Sequence, residues 1–431
     1  MTEDFLHYLW QNNLFKSQLS STSNDPITVL SPGFHNLNSG PDFSDARLKI
    51  GETMWAGNVE IHINSSDWFK HGHQNDEAYK NVVLHVVFNN DLKENTGSMM
   101  VCELAGKIDL KLFENYIDFI QSRSFVPCAG MISKLPDTEI ALWLERMLIE
   151  KLESKADFIQ VALTTSKNDW EEALYQILAR SFGFNINSLP FEMLARSVSY
   201  KILARHSDNR FQIEALLFGQ AGMLTQELLD PHSQALFREY AFLRKKYGLV
   251  PIDQSLWKFL RLRPVNFPTI RISQFADLLS RHAGLLSALI SKKSISELIE
   301  LFNVNASEYW NDHFTFDKLS KGKQKQLGIP SRHLLIINAV LPFLFVYGRS
   351  VADDELCNKA LNLYDELPPE SNSVISGWQE TGVQVESAWH SQALIALKSM
   401  YCDNRKCLGC RIGNLLMKDM IINNTERSTA Y

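Results

Sequence analysis

The pattern of apolar and polar positions changes character along this chain. Between residues 27 and 104, short runs of strand length with alternating apolar positions are separated by turn residues. From about residue 136, apolar residues recur every three or four positions. Alternation is typical of a half-buried strand, and the longer period is typical of an amphipathic helix. The pattern predicts an α+β protein, with an N-terminal α/β core on a mixed sheet followed by a large, mostly α-helical region.

The same changes of pattern suggest where domains begin and end. A chain of 431 residues ordinarily forms more than one domain. We expect an α/β core at 1–130, a helical domain at 131–350, and a C-terminal helical segment with a cysteine cluster at 351–431. Prolines interrupt the helical region, and it has no fixed repeat period, so a solenoid is not expected.

One strand-like run carries two polar side chains on the same face. In Asn-Val-Glu-Ile-His-Ile, alternation places Glu60 and His62 together, and such groups need partners when buried. Asp42 opens the preceding run, and pairing of the two strands through a turn at Gly51 would bring Asp42 close to Glu60. Adjacent carboxylates favour a cation between them, and oxygen ligands suit Mg²⁺. The residues therefore predict an Mg²⁺ or Mn²⁺ site at Asp42 and Glu60.

The order of elements around this site resembles the core of the PD-(D/E)XK nuclease superfamily. A predicted N-terminal helix at 3–16 precedes the hairpin, and a helix expected at 65–81 leads to an apolar strand at 82–88. The superfamily motif would correspond to Pro41-Asp42 and Glu60-Ile61-His62, with His62 in place of the usual lysine.

This resemblance implies a metal-dependent phosphodiesterase, a deoxyribonuclease. Asp42 and Glu60 would hold the metal, Glu3 on the first helix would assist, and His62 would position or deprotonate the attacking water. An imidazole lacks the fixed charge of lysine, so weakened or lost activity is the alternative expectation. A non-catalytic scaffold that binds nucleic acid or protein is then the second function.

The segment after the hairpin offers further candidate residues. His73, Asp76 and Tyr79 can share one face of a helix and are expected to be auxiliary site residues. His71, His73 and Asp76 also form a possible zinc set, which makes a zinc-dependent hydrolase a further alternative. Residues two apart on a helix point to different sides, so that set requires the segment to be a loop.

Most of the chain also resembles an uncharacterised family of bacterial proteins. The resemblance is carried by GPDFSDARLKI, WAGNVEIHINSSDWFKHGH and RLRPVNFPTIRISQFADLL, and by the terminal YCDNRKCLGCRIG. It implies no established activity.

Three arginines near two prolines form a candidate nucleic-acid contact. Arg261, Arg263 and Arg271 flank Pro264 and Pro268, which exclude a continuous helix. Guanidinium groups bind phosphate in a fork, so we expect phosphate contacts there. The alternative is a loop whose arginines cap helix ends or pair with acids.

Three cysteines are clustered near the end of the sequence. Cys402, Cys407 and Cys410 form C-x4-C-x2-C, a spacing that suits zinc or an iron–sulfur cluster. Cys128 is the expected fourth ligand, and Cys357 and His390 are alternatives. The nuclease resemblance also implies this design, because some members hold an iron–sulfur cluster with cysteines from distant parts of the chain. Buried thiols without a metal remain the other possibility.

Composition limits the functional classes. Hydrophobic residues make up 45% and charged residues 21%, as in soluble globular proteins. The net charge of −6 disfavours a protein that coats nucleic acid, although a local basic groove is compatible with it. We expect no membrane span, because no apolar run approaches about 20 residues. The acidic start is unlike a signal peptide. A cytoplasmic protein is expected, with cysteines as thiols or metal ligands.

Overall fold

The computed structural model describes residues 1–36, 38–92 and 99–418. Where the sequence predicted three domains, this structure forms two compact units. The first contains Met1–Trp143, Glu380–Val383 and the chain from Leu397, and the second contains Leu144–Gln379 and Gln384–Ala396. The cysteine-rich segment therefore belongs to the N-terminal unit.

The first unit is built on a mixed sheet of seven strands in its described residues. These strands are β1 (Leu19–Ser20), β2 (Pro26–Ser31), β3 (Phe34–His35), β4 (Phe43–Ile50), β5 (Thr53–Asn64), β6 (Val82–Asn89) and β7 (Met100–Glu103). Their order is β1-β2-β4-β5-β6-β7, with β3 paired to β4. Pairing is antiparallel from β1 to β5 and parallel from β5 to β7.

The central strand β5 explains why the polar residues of the hairpin are buried. It pairs with β4 on one side and β6 on the other, and both of its faces are covered around Val59 and Ile61. Glu60 is consequently 4% exposed and His62 2% exposed. Phe43 lies opposite Val59, so Asp42 at the start of β4 adjoins Glu60.

The first helix packs against this sheet. Helix α1 (Glu3–Asn12) begins where the sequence predicted, with Thr2 Oγ1 accepting a hydrogen bond from the backbone N–H of Phe5. It ends earlier than the expected residue 16, because Asn13 adopts a left-handed conformation with φ 51°. Its buried face includes Phe5, Leu6, Leu9 and Trp10, which join the sheet in one hydrophobic core.

The helix expected over 65–81 does not form, and that prediction is wrong. The segment contains a single turn of helix, α2 (Asp67–Lys70), followed by two 3-10 turns at His73–Asn75 and Glu77–Tyr79. Gly72 interrupts the helix with a φ of 78°, and Asp76 starts a new turn by accepting from the N–H of Ala78. Local capping by polar side chains here competes successfully with helix formation.

The remaining elements are mostly helical, as predicted. The helices are α3 (Leu110–Gln121), α4 (Asp137–Thr165), α5 (Trp170–Phe182), α6 (Ser188–Ser197), α7 (Tyr200–Ala204), α8 (Arg210–Gln220), α9 (Pro231–Tyr247), α10 (Pro268–Arg281), α11 (Leu285–Ser291), α12 (Ile295–Leu301), α13 (Ile329–Leu335), α14 (Leu341–Ser350), α15 (Asp354–Glu366), α16 (Ser373–Glu380) and α17 (Ala388–Leu397). A small hairpin pairs β8 (His313–Thr315) with β9 (Lys318–Leu319). The fold class, a mixed sheet followed by a mostly helical region, is confirmed.

One helix in the described residues is long and apolar enough to cross a membrane, contrary to the expectation that no such run exists. It spans Ile329–Ser350, with a π-helical turn at Ile336–Val340 between α13 and α14, and a mean hydropathy of 1.6. Of the apolar window, 67% is buried inside the protein. A core helix of a soluble protein has the same character, so the finding is consistent with a soluble chain.

Candidate metal centre

Asp42 and Glu60 meet where β4 pairs with β5. The backbone N–H of Asp42 donates to Glu60 Oε2 at 3.1 Å, and the backbone N–H of Ile61 donates to Asp42 Oδ2 at 2.8 Å. A bulge between Phe43 and Ala46 shifts the register of β4 at this point. Bulges commonly redirect side chains beside functional sites. The two carboxylates are thus fixed side by side, each bound by the backbone of the opposite strand.

The loop before β4 is fixed by Asn36. Its side-chain amide donates to the carbonyl oxygens of Ser39 and Pro41, both at 3.1 Å. Its backbone N–H donates to the carbonyl of Asp42 at 2.7 Å. Three hydrogen bonds from one residue therefore hold the Pro41-Asp42 pair in place.

Three imidazoles lie together beside Glu60, and two of them approach its outer oxygen. The ring nitrogens of His62, His71 and His73 all lie within 4.8 Å of one another. His62 Nε2 is 3.1 Å from His71 Nδ1. Glu60 Oε1 is 3.5 Å from His62 Nε2 and 3.4 Å from His73 Nε2. A zinc ion with bonds of about 2.0–2.1 Å to its ligands separates tetrahedral ligand atoms by about 3.3 Å. The three imidazoles are therefore close enough to share one ion, and Glu60 lies at ligand spacing from two of them.

The irregular segment after β5 makes this convergence possible. Residues two apart on a helix would diverge, but the left-handed Gly72 reverses the chain between His71 and His73. The start of the segment is anchored by Asp91, whose carboxylate accepts hydrogen bonds from both Ser65 and Ser66. A site that uses both His71 and His73 required this segment to be a loop, and the structure has an irregular loop there.

A fourth histidine, His85 on β6, lies behind His62. His85 Nε2 is 2.9 Å from His62 Nδ1, and His85 is 1% exposed. When His62 donates its Nδ1 proton to His85, its Nε2 lone pair faces Glu60 and His71. A buried partner on the far ring nitrogen commonly orients a metal-binding histidine in this way. The ring of Trp68 packs against both His73 and His85 and closes the site on that side.

Burial favours the neutral forms of Glu60, His62 and His85 when no cation is present. Burial, together with the neighbouring Asp42 carboxylate, raises the pKa of Glu60 to about 8. Burial lowers the pKa of His62 to about 4, with the other imidazoles adding to the effect, and that of His85 to about 3. His73 Nε2 is buried and makes no hydrogen bond. A divalent cation would favour the carboxylate and give this nitrogen a partner.

Two residues of α1 extend the site. His7 Nε2 is 3.2 Å from Asp42 Oδ2. Burial acts to raise the pKa of Asp42, but His7 and the N–H of Ile61 outweigh it and hold the pKa below its ordinary value. Burial is the main cause that raises the pKa of Glu3, and the Asp42 carboxylate adds to it. Sequence reasoning missed His7, although it follows Glu3 by one helical turn.

The sequence profile of a family described as "Protein of unknown function (DUF2851)" matches residues 3–373. The chain belongs to this family. The matched residues include every side chain of the histidine site and end before Cys402. No curated protein and no solved structure matches the chain. The resemblance to an uncharacterised family is therefore confirmed.

The auxiliary residues of this DUF2851 protein fall into two groups. Tyr79 stacks on His73 with ring centroids 3.9 Å apart, so both belong to the site. Asp76 is exposed, and its carboxylate accepts from the N–H of Ala78 at 2.9 Å. Asp76 is therefore a capping residue. The zinc alternative grouped Asp76 with His71 and His73, but the side chains that lie beside these two histidines are His62 and, next to His73, Glu60.

The three arginines are separated by their environments. Arg261 and Arg263 are exposed on the surface of the second unit. Arg271 is 5% exposed in the first turn of α10, where its guanidinium donates to Gln274 at 3.0 Å and Asn266 at 2.7 Å. The expected phosphate contact by Arg271 is thus wrong, because its donors serve the interior of the fold.

The cysteines predicted as a metal set lie together in the first unit. Cys128, Cys402, Cys407 and Cys410 line one pocket. The alternative ligands lie elsewhere, in the second unit: Cys357 Sγ is 3.5 Å from the carbonyl of Phe345, and His390 Nδ1 is 3.0 Å from Ser387.

Proposed function

We propose that this DUF2851 protein is a metal-dependent hydrolase of the nuclease type, acting on phosphodiester bonds of nucleic acid. The ion would be held by Glu60, His62, His71 and His73. One observation carries the proposal: three imidazoles have ligand atoms within 4.8 Å of one another, a buried carboxylate lies 3.4–3.5 Å from two of them, and one of these nitrogens is buried without a hydrogen bond.

The ligand atoms favour a transition metal. Mg²⁺ prefers oxygen ligands and retains several waters, whereas imidazoles suit Zn²⁺, Fe²⁺ and other first-row metals. Three of the four proposed ligands are imidazoles. We therefore propose Zn²⁺, Mn²⁺ or Fe²⁺ in preference to the Mg²⁺ that two carboxylates alone would suggest.

The surrounding residues have separate roles in this proposal. A metal at this position would lower the pKa of a bound water and polarise a phosphoryl oxygen. Both ring nitrogens of His62 already face other imidazoles, so His62 acts as a ligand and not as the base that replaces the motif lysine. Asp42 and His7, 3.2 Å apart, form the pair that can hold or transfer a proton beside the site.

Two features support nucleic acid as the substrate. Helix α1, the antiparallel strands β2, β4 and β5, and the parallel strand β6 follow one another in the order that the nuclease resemblance implies, with the acids at β4 and β5. Arg261 and Arg263 are exposed and able to contact phosphate. We also propose a cytoplasmic location, because none of the six cysteines, all within the described residues, forms a disulfide.

The second candidate is a metal-binding scaffold that binds nucleic acid without cleaving it. The replacement of the motif lysine by His62 favours this candidate. The titratable groups that most affect the pKa values of Asp42 and Glu60 are carboxylates and imidazoles, so no lysine among them supplies the missing positive charge. Such a scaffold would bind DNA in a salt-dependent manner and leave it intact.

Cleavage assays on the full-length protein test the proposal. Metal-free protein receives Zn²⁺, Mn²⁺, Fe²⁺ or Mg²⁺, and nicking of plasmid and degradation of single-stranded DNA and RNA are measured. We expect cleavage with a transition metal, and a loss of at least about 100-fold in Glu60→Gln and in the His71→Ala/His73→Ala double variant, because residues that bind the metal matter at least as much as the residues that orient them.

Matched variants make the outcome decisive. Glu77→Gln changes an exposed glutamate of the same segment, and His333→Gln changes a histidine of α13, so both should retain wild-type cleavage. Cleavage that persists in Glu60→Gln and in the double histidine variant would refute the proposed site. Metal-dependent binding without any cleavage would establish the scaffold instead.

A further inference from the structure

Four buried thiols from two distant parts of the sequence meet in the first unit. Cys128 follows α3, Cys402 ends a π-helical turn (Lys398–Cys402), and Cys407 and Cys410 precede a helix at 411–418. All four are buried, at 5–8% exposure, and line one pocket together with Phe119, Pro127 and Tyr401. This set is separate from the histidine site and is not used by the proposed hydrolysis.

The backbone around these cysteines is tightly wound. The N–H of Cys410 donates to the carbonyl of Cys407 at 3.3 Å, which closes the turn between the last two thiols. A Cβ at Gly413 would lie 2.4 Å from the carbonyl oxygen of Cys407, so glycine is required for the following helix to approach the turn. Arg405 secures the segment by donating to the carbonyl of Ser122 at 2.8 Å.

Hydrogen-bond donors are directed at one of the sulfurs. The backbone N–H groups of Ile412 and Gly413 hydrogen-bond the sulfur of Cys410. A neutral thiol is a weak acceptor, whereas thiolates in metal centres accept such bonds readily. These donors suit a metal-bound thiolate at Cys410, whereas burial alone raises the pKa of its thiol and favours the neutral form.

The spacing of the thiols distinguishes between metals. A single zinc ion with Zn–S bonds of about 2.3 Å holds its sulfurs about 3.8 Å apart. In the described residues, the three imidazoles of the histidine site lie within 4.8 Å of one another, but no three of these four thiols do. A cluster of several irons holds its cysteines farther apart than one ion does. C-x4-C-x2-C with a remote fourth cysteine is also an iron–sulfur spacing.

We propose that Cys128, Cys402, Cys407 and Cys410 ligate an iron–sulfur cluster. The cluster joins the chain that follows Leu397 to the segment between α3 and α4 within the same unit. Its role is structural: four metal–sulfur bonds close a long loop of the chain that otherwise depends on side-chain packing and a few hydrogen bonds. The proposal does not depend on the hydrolase.

Anaerobic purification of the full-length protein provides the test. Iron, acid-labile sulfide, zinc and visible absorbance are measured per chain. We expect iron and sulfide in equal amounts and a broad visible absorption that bleaches on reduction with dithionite. Cys407→Ser should lose most of both elements. Cys357→Ser, which changes a buried thiol of the second unit, should retain them in full.

Other outcomes would overturn the cluster. Zinc without sulfide would assign a mononuclear site, and the absence of iron and sulfide after anaerobic reconstitution would exclude a cluster. The analysis of the wild-type protein decides the matter even when Cys407→Ser fails to fold. Iron bound at the histidine site carries no sulfide, so the His71→Ala/His73→Ala variant should keep its iron–sulfur signal.

Discussion

Glu60 is a buried carboxyl group between a second carboxylate and two imidazoles, and burial raises its pKa to about 8. In the unfolded chain its pKa is close to the ordinary 4.5. Between these two values the folded, metal-free protein holds a proton that the unfolded chain has released. The stability contributed by this proton is complete below the lower pKa and is lost as the pH rises through the higher one.

The stability of the metal-free protein should therefore fall as the pH rises from about 5 to about 8, by at most about 1.4 kcal/mol per pH unit from this group. Glu60→Gln should flatten the dependence, because the amide does not titrate. The midpoint of thermal unfolding in chelator at several pH values measures it, with Glu77→Gln as the control. Equal slopes in wild-type and Glu60→Gln proteins would contradict the assignment.

A second substitution tests whether His85 supports metal binding by orienting His62. His85→Phe removes the partner of His62 Nδ1 while keeping a ring in the core. We expect metal affinity to fall by about 10–100-fold, as for other partners of metal ligands. Calorimetric titration measures it. His206→Phe is the matched control, since His206 is a buried histidine bonded to Gln212 and Tyr247 in the second unit, and an equal loss there would refute the specific role.

Alternation in the sequence was sufficient to place Glu60 and His62 on one face and to bring Asp42 beside them. It could not show that His7 joins them, because that contact depends on how α1 packs against the sheet. The ligand role that we propose for His62, in place of that of a base, was equally hidden. It follows from His71 and His85 lying on either side of the ring, and both residues belong to other elements.

At the scale of elements, the segment 65–81 shows how local capping can outweigh helical periodicity. The sequence predicted one helix, but Gly72 and Asp76 divide it into short turns. Periodicity measures which faces are apolar, and it does not register a glycine in the left-handed region or a carboxylate that starts a new turn. The hairpin and the strand at 82–88 were predicted correctly, since strong alternation and an apolar run identify strands directly.

Gly72→Ala should weaken metal binding through the backbone alone. A Cβ at Gly72 would meet no atom within 4 Å, but its φ of 78° is strained for alanine by about 1–2 kcal/mol. Relief of that strain would turn His71 away from His73, so we expect a fall in affinity of at least 10-fold. Calorimetric titration with Zn²⁺ measures it.

Gly106 offers a closely matched control for this change. Its φ is 76°, and a Cβ there also meets no atom within 4 Å. Gly106→Ala should lower stability by a similar amount and leave metal affinity unchanged. Equal affinities for the two variants would show that the turn at Gly72 does not position the histidines.

At the scale of the molecule, the two units combine segments that are distant in the sequence. The chain from Leu397 returns to the unit that contains the sheet, which no local pattern could have indicated. The three clustered cysteines were visible from their spacing alone. Cys128 was expected as the fourth member, and the fold places it in one pocket with the other three.

Metal at the histidine site should stabilise the first unit selectively. A ligand at 100 times its dissociation constant adds about 2.7 kcal/mol to the state that binds it. We expect added Zn²⁺ to slow hydrogen exchange in peptides covering 58–92, with little change in peptides from Leu144–Gln379. Mass spectrometry of exchange with and without metal measures this, and uniform protection of both units would contradict a site confined to the first.

Elemental analysis counts the ions bound to a protein but does not locate them. The most direct measurement is therefore one that gives the position of the ion. Crystals of the protein grown with Zn²⁺ or Mn²⁺ and measured at the absorption edge of that metal would give an anomalous peak. We predict a peak about 2.0–2.2 Å from nitrogens of His62, His71 and His73 and from an oxygen of Glu60. A map with saturating metal and no peak among these four side chains would contradict the account.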